Sequence, residues 1–307
     1  MRASLPSASL DLSRAQLEPM RAFHFFHESL NISTKIAIAS SVVLAKEAAL
    51  GGDGRELGRI IRSSHPAWNS PPVHEFTVEL QKDIYRSTSA FAIVSVFSAF
   101  DDFIEGLEID CGRVGVTKRD SKGASDDGGE VDKIFSFYRR WGWDVNDING
   151  FEPVLKYFRF IRNCIAHRSS RASAALSTHS RSISFQGSVR PYLDGSLESA
   201  PSFAPDEAIF IEPGLAIACS DLLRKIAVVC NKRLISTLGE GDFLRLVVGN
   251  IVDGRVGGRF VDLNEPLPLV NSVLVSRYRV GVPLKHNIAP LLKSLNLWAG
   301  LRKHLGC

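Results

Sequence analysis

Apolar residues recur at three- and four-residue steps along most of this chain, the pattern of helices that bury one face. Phe151, Val154, Leu155, Phe158, Ile161 and Ile165 predict a helix that ends near His167. The longest pattern runs from about Val73 to Asp110. Its first half is amphipathic, and its middle, Ala90 to Phe100, is apolar all round, as a central buried helix should be. Glu212-Pro213 opens a helix to about Leu238 whose inner face is Leu215, Ile217, Leu222, Leu223, Ile226, Val229 and Leu234. Further helices are predicted over Ile32–Leu50 (stopped by Gly51-Gly52), Arg55–Arg62, Val131–Trp141, Gly239–Val252 and Pro266–Tyr278. A final helix is capped by Asn287, has Pro290 in its first turn, and buries Leu291, Leu292, Leu295, Trp298 and Leu301.

The segments between lose that period. Residues 1–20 read as a mobile lead-in, Ser63–Pro72 as a proline-rich loop, and Val116–Asp132 as a polar, glycine-rich loop. Ser169–Pro205 holds eleven serines and shows no helical period; within it Ser182–Gln186 and Gly187–Arg190 could form a small hairpin. Asp253–Phe260 reads as a turn or hairpin, with glycine spacing wrong for a dinucleotide loop. The fold class expected is all-α, with one small irregular or hairpin insertion.

Composition narrows this picture without redirecting it. Hydrophobic content of 45% and charged content of 23% are ordinary for a globular protein. The apolar run Ile36–Leu44 is too short to span a bilayer, and no signal-like apolar core follows Arg2. Five scattered cysteines without a Cys-x-x-Cys pair argue against a disulfide framework or a cysteine zinc site, and for a reducing compartment such as the cytoplasm. Charge is uneven. Residues 1–212 carry 24 Lys+Arg against 27 Asp+Glu, and residues 213–307 carry 13 against 6. The basic final third suits a polyanionic partner or a solvated surface.

Candidate chemistry gathers in a few places. His24 and His27 could share a metal, but no third ligand stands at a recognisable spacing; an aromatic amphipathic segment explains them better. Trp141 and Trp143 flank a turn, which suits packing better than base stacking. Asp101, Asp102, Glu105 and Glu108 appear abruptly at the end of the longest helix, as a solvated end or as paired carboxylates. The richest stretch is Arg162-Asn163-Cys164-Ile165-Ala166-His167. Asn163 and His167 share a helix face, and Arg162 lies about 140° from His167. Arginine offers a phosphate a planar fork of donors, histidine exchanges protons near neutrality, and asparagine orients without titrating. A cation and an asparagine at a helix C-terminus also have a purely structural use.

Arg162-Asn163-x-x-x-His167, framed by Ile161, Ile165 and Ala166, resembles the Arg-x4-6-His motif of the HEPN superfamily of helical nucleotide-binding and RNase domains. Phe100–Leu107 resembles the acidic, apolar helix that precedes that motif in many members. The resemblance implies an HEPN-like helical bundle over 73–240, between an N-terminal lead-in and helical extension (1–72) and a basic C-terminal helical part (241–307). It implies a metal-independent endoribonuclease without cofactor, in which the RNA 2′-hydroxyl attacks its own phosphate. His167 would act as acid/base, Arg162 as phosphate clamp and Asn163 as orienting group, with Asp101 facing the motif. It also implies a homodimer through the motif face, a toxin or antiviral role, and a regulatory or antitoxin partner. The other reading open to the family is a non-catalytic module that binds nucleotides or proteins and dimerises.

Overall fold

The computed structural model describes residues 10–49, 59, 63, 78–115, 132–192, 199–256, 265–281 and 288–306. Among them the fold is all-α. The helices are α1 (Glu18–Ala49), α2 (Val78–Arg113), α3 (Lys133–Arg140), α4 (Glu152–His167), α5 (Ala174–Ser180), α6 (Ile183–Val189), α7 (Pro213–Thr237), α8 (Glu240–Val252), α9 (Pro266–Ser276), α10 (Ala289–Ser294) and α11 (Leu297–Leu305). Extended pairing among the described residues is limited to two isolated antiparallel bridges, Asp11 with Gly281 and Arg171 with Ala208. Arg55–Arg62 lies outside the described residues except for Arg59, as do residues 116–131 and 257–264.

Two compact units are each assembled from separated stretches: residues 1–24, 100–149 and 225–307, and residues 25–99 and 150–224. In the second, α4 packs against α5 and α6. Its buried stripe is Val154, Leu155, Tyr157, Phe158, Ile161 and Cys164. Tyr157 stacks on Phe185 of α6 at 4.5 Å between ring centres, and its hydroxyl donates to the Pro201 carbonyl at 2.9 Å. His179 of α5 closes the other flank, with Nε2 2.7 Å from the Pro153 carbonyl and its ring edge-on to Phe160. The motif helix is thus held along its length by rings and by two polar ties to backbone.

The first unit gathers Phe23, Phe100 and Phe103 with ring centres 5.7–5.9 Å apart. Trp141 and Trp143 are buried, and Trp143 stands edge-on to Phe137 and Tyr138. A polar cluster sits inside this unit. Arg113 reaches the Asn250 side-chain oxygen and the Asp253 carboxylate, and Asn250 Nδ2 donates to the Tyr278 hydroxyl at 2.9 Å. Asp110, fully buried, lies among them. On the opposite side of chemistry and size, Gly106 exists to admit Pro19: a Cβ there would sit 2.8 Å from the proline Cγ.

Three expectations are corrected. Residues 182–190 form no hairpin; they are α6 and the start of a 3₁₀ turn, preceded by α5. The serines that hid this are N-caps: Ser173 Oγ accepts from Leu176 N at 3.1 Å and Ser182 Oγ from Phe185 N at 3.3 Å. Ser173→Ala is expected to cost about 1 kcal/mol, and Ser173→Gly only a few tenths. Urea midpoints of the two variants measure this, and equal losses would mean that the cap bond is idle.

The lead-in is also not loose where it is described. Leu10, Ala15 and Leu17 are buried, and Asn231 brackets the segment by accepting from Leu17 N at 3.0 Å and donating to the Ala15 carbonyl at 3.2 Å. The final helix is two, α10 and α11, because Asn296 adopts a left-handed conformation with φ 59°. Leu291, Leu292 and Leu301 are buried as expected, whereas Leu295 and Trp298 are half-exposed. Asn287 lies outside the described residues.

Candidate functional site

The site is built on the last turn and a half of α4. Apolar positions spend one face on packing, which leaves Asn163, Ala166 and His167 exposed and Arg162 half-exposed. The helix is then closed by backbone alone. Arg168 N and Ser170 N both donate to the Cys164 carbonyl, at 3.0 and 3.2 Å, while Ser169 and Ser170 take the left-handed conformation with φ 49° and 60°. The buried Cys164 thiol adds a second tie, accepting from Ser173 N at 3.3 Å. Neither Asn163 nor His167 is needed to end this helix.

The chain beyond is pinned. Ala172 N donates to the Glu207 carbonyl at 2.8 Å, Asp206 N to the Ala172 carbonyl at 2.9 Å, and Ile209 N to the Ser170 carbonyl at 2.8 Å. Two arginines converge on that corner. Arg168 Nη2 is 2.9 Å from an Asp206 carboxylate oxygen, and Arg171 Nη1 donates to the Asp206 carbonyl at 2.9 Å. Of the arginines on or beyond the motif, these two are therefore engaged in shaping the loop, while Arg181 and Arg190 are exposed.

Arg162 Nη1 donates to Asn163 Oδ1 at 3.1 Å. The Arg162 Nε is buried without a hydrogen-bond partner among the described residues. α4 stays regular to its end, so the 140° between Arg162 and His167 is not closed by any loosening. The guanidinium meets the asparagine and not the imidazole. What results is an exposed corner with a mostly uncommitted fork of donors, an amide that steadies it, and an imidazole at the helix end.

Asp101 stands in the other unit, half-buried, with its carboxylate 3.6 Å from Lys133 Nζ. Glu108, from the same acidic set, pairs with Arg140. His27 turns inward, with Nε2 3.3 Å from Asn31 Nδ2 and 3.6 Å from an Asp221 carboxylate oxygen. Among the described residues no group of three or more His, Cys, Asp and Glu is placed to hold a metal ion. None of the described helices is long and apolar enough to cross a membrane.

Sequence reasoning missed Cys164 and Asp206, which position the end of the motif. Cys164 read only as one of five scattered cysteines. Asp206 lies in a stretch without period, where only its place beside Pro205 marks a turn. No family model matches the chain, and no curated protein and no solved structure matches it either.

Proposed function

We propose that this chain is a metal-independent endoribonuclease of HEPN type. One observation carries the reading. The end of α4 is closed by backbone hydrogen bonds to Cys164, so Arg162, Asn163 and His167 stand at an exposed corner with no part in ending the helix. RNA brings its own nucleophile, the 2′-hydroxyl. The protein has only to move protons and to stabilise charge on the phosphorus. His167 takes or gives the proton, Arg162 clamps the phosphate, and Asn163 fixes the guanidinium by the hydrogen bond it accepts. The products are a 2′,3′-cyclic phosphate and a 5′-hydroxyl.

One imidazole serves poorly as both acid and base. On bound RNA, two copies whose Arg162–His167 segments meet across a two-fold axis supply a second imidazole and a second clamp from the same sequence. Activity of this kind, directed at cellular RNA, suits a toxin or antiviral effector restrained by a partner protein.

Incubation with total RNA in EDTA, beside His167→Ala, tests the reading. Wild type is expected to cut and to leave cyclic phosphate ends, and the variant to leave RNA intact. Equal cleavage in both samples removes His167 from the chemistry. Intact RNA in both, with oligonucleotide binding retained, moves the assignment to the non-catalytic binding module.

A further inference from the structure

Helix α1 carries two seams, and the described residues of its own chain fill only one. Phe23, His27, Leu30, Thr34 and Ser41 are buried. On the opposite side Phe25, Ser29, Ile32, Ile36, Ala39 and Val43 are all exposed. Their spacing of four, three, four, three and four residues is that of the core positions in a helix-pairing seam. Four of the six are large and apolar, with Phe25 69%, Ile32 59%, Ile36 60% and Val43 57% exposed. A monomeric surface scatters such residues singly; a continuous row of them marks a contact. The row spans 18 residues, about 27 Å at 1.5 Å per residue.

The row is also a palindrome of size: large, small, large, large, small, large. Read from either end it presents the same relief, which is what an isologous contact requires. We infer that this face of α1 pairs antiparallel with the same face of a second copy, about a two-fold axis at the level of Thr34. Phe25 then lies opposite the partner's Val43, Ser29 opposite the partner's Ala39, and Ile32 opposite the partner's Ile36. The small layers let the two backbones approach between layers of large side chains. Together with Phe26, which is 38% exposed on the flank, the seam covers roughly 600 Å² per copy and roughly 1,200 Å² in all, at the lower edge of what a specific complex buries.

Charge sets a further expectation. Lys35 is exposed on the flank and sits one residue from the axis, so two ammonium groups meet there. Their repulsion is screened by salt. The pairing therefore tightens from low to moderate ionic strength, the reverse of a contact held by ion pairs.

Sedimentation equilibrium without RNA is the test, so its failure leaves the nuclease reading standing. Wild type at about 100 µM, where a micromolar Kd gives mostly dimer, is expected at twice its 33.7 kDa. Ile36→Glu, at an exposed position that spares the fold, is expected to return it to the single-chain mass with an unchanged circular dichroism spectrum. Lys35→Ala tightens the dimer. Ser33→Cys, exposed beside the axis, is expected to form a disulfide-linked dimer under mild oxidation that wild type does not form. A wild-type monomer at that concentration overturns the inference. A dimer that Ile36→Glu leaves intact and Ser33→Cys does not cross-link overturns it too.

Discussion

Replacing Arg162 by Ala is expected to lower RNA cleavage by about 10²–10³-fold, the usual loss when one donor to a developing oxyanion is removed. The effect belongs in kcat, because the fork gains most as charge builds on the phosphate. Arg162→Lys is the sharper variant. It keeps the charge and most of the stem that packs beside the buried Nε, but not the planar pair of donors. It should therefore preserve the thermal midpoint and recover little activity. If the Lys variant cuts as well as wild type while the Ala variant merely unfolds earlier, Arg162 is a packing residue and the corner at the end of α4 loses its clamp. Asn163→Ala completes the series, since it frees the guanidinium from its 3.1 Å partner. A smaller loss is expected there, because the donors themselves remain.

Asp110→Asn is expected to stabilise the protein at pH 7 by up to about 3 kcal/mol, from a shift of roughly two pH units at 1.36 kcal/mol each. Asp110 is fully buried in the cluster that holds Arg113 and Asn250. Burial raises its pKa from 3.8 to about 6, with Arg113, Arg255 and a hydrogen bond from Asn250 pulling it back. The folded state thus holds a proton that the unfolded chain has already released. Folding stability from this group falls as pH rises from about 4 to about 6, and stays low above that. Below pH 4 both states are protonated and the difference between wild type and Asp110→Asn should vanish. Urea midpoints of the pair at pH 4, 5, 6 and 7 measure the effect as a difference, so other carboxylates cancel. A variant less stable than wild type at pH 7 would mean that the arginines outweigh the desolvation, and that the charged carboxylate is an asset.

The long helices were legible because they repeat their period several times. α4 and α7 each declare an inward face over three turns or more, and α2 declares itself by a long apolar middle. α5 and α6 did not, because seven residues make only two turns. Their strongest local signals, Ser173 and Ser182, look identical to loop serines until the N–H groups they cap are in place. The break between α10 and α11 was hidden for another reason. Asn296 in a left-handed conformation is tolerated by asparagine without being demanded by it, so the residue type alone does not announce the turn. Leu10, Ala15 and Leu17 were unreadable as core because the side chains that hold their segment, Asn231 and Glu240, lie more than 200 residues away. In the candidate site, the spacing of Arg162, Asn163 and His167 was plain. The partner chosen by Arg162 was not, since helix geometry left the guanidinium free to reach either way. The ion pair of Asp101 with Lys133 was equally invisible, because residues 116–131 separate their segments in sequence.

The interleaving of the two units fixes an order of events during synthesis. The unit that carries α4 is assembled from residues 25–99 and 150–224, so all of its chain has been made once residue 224 is added. The other needs residues 225–307 as well as the earliest ones. Its first stretch must wait through more than 200 residues for its partners, Asn231 for Leu17 and Glu240 for Leu10. At roughly 5–20 residues per second that is a delay of about ten seconds or more. During it, apolar side chains that end in the interior stay exposed on the nascent chain. The corner at the end of α4 can thus be shaped before the other unit has all its parts.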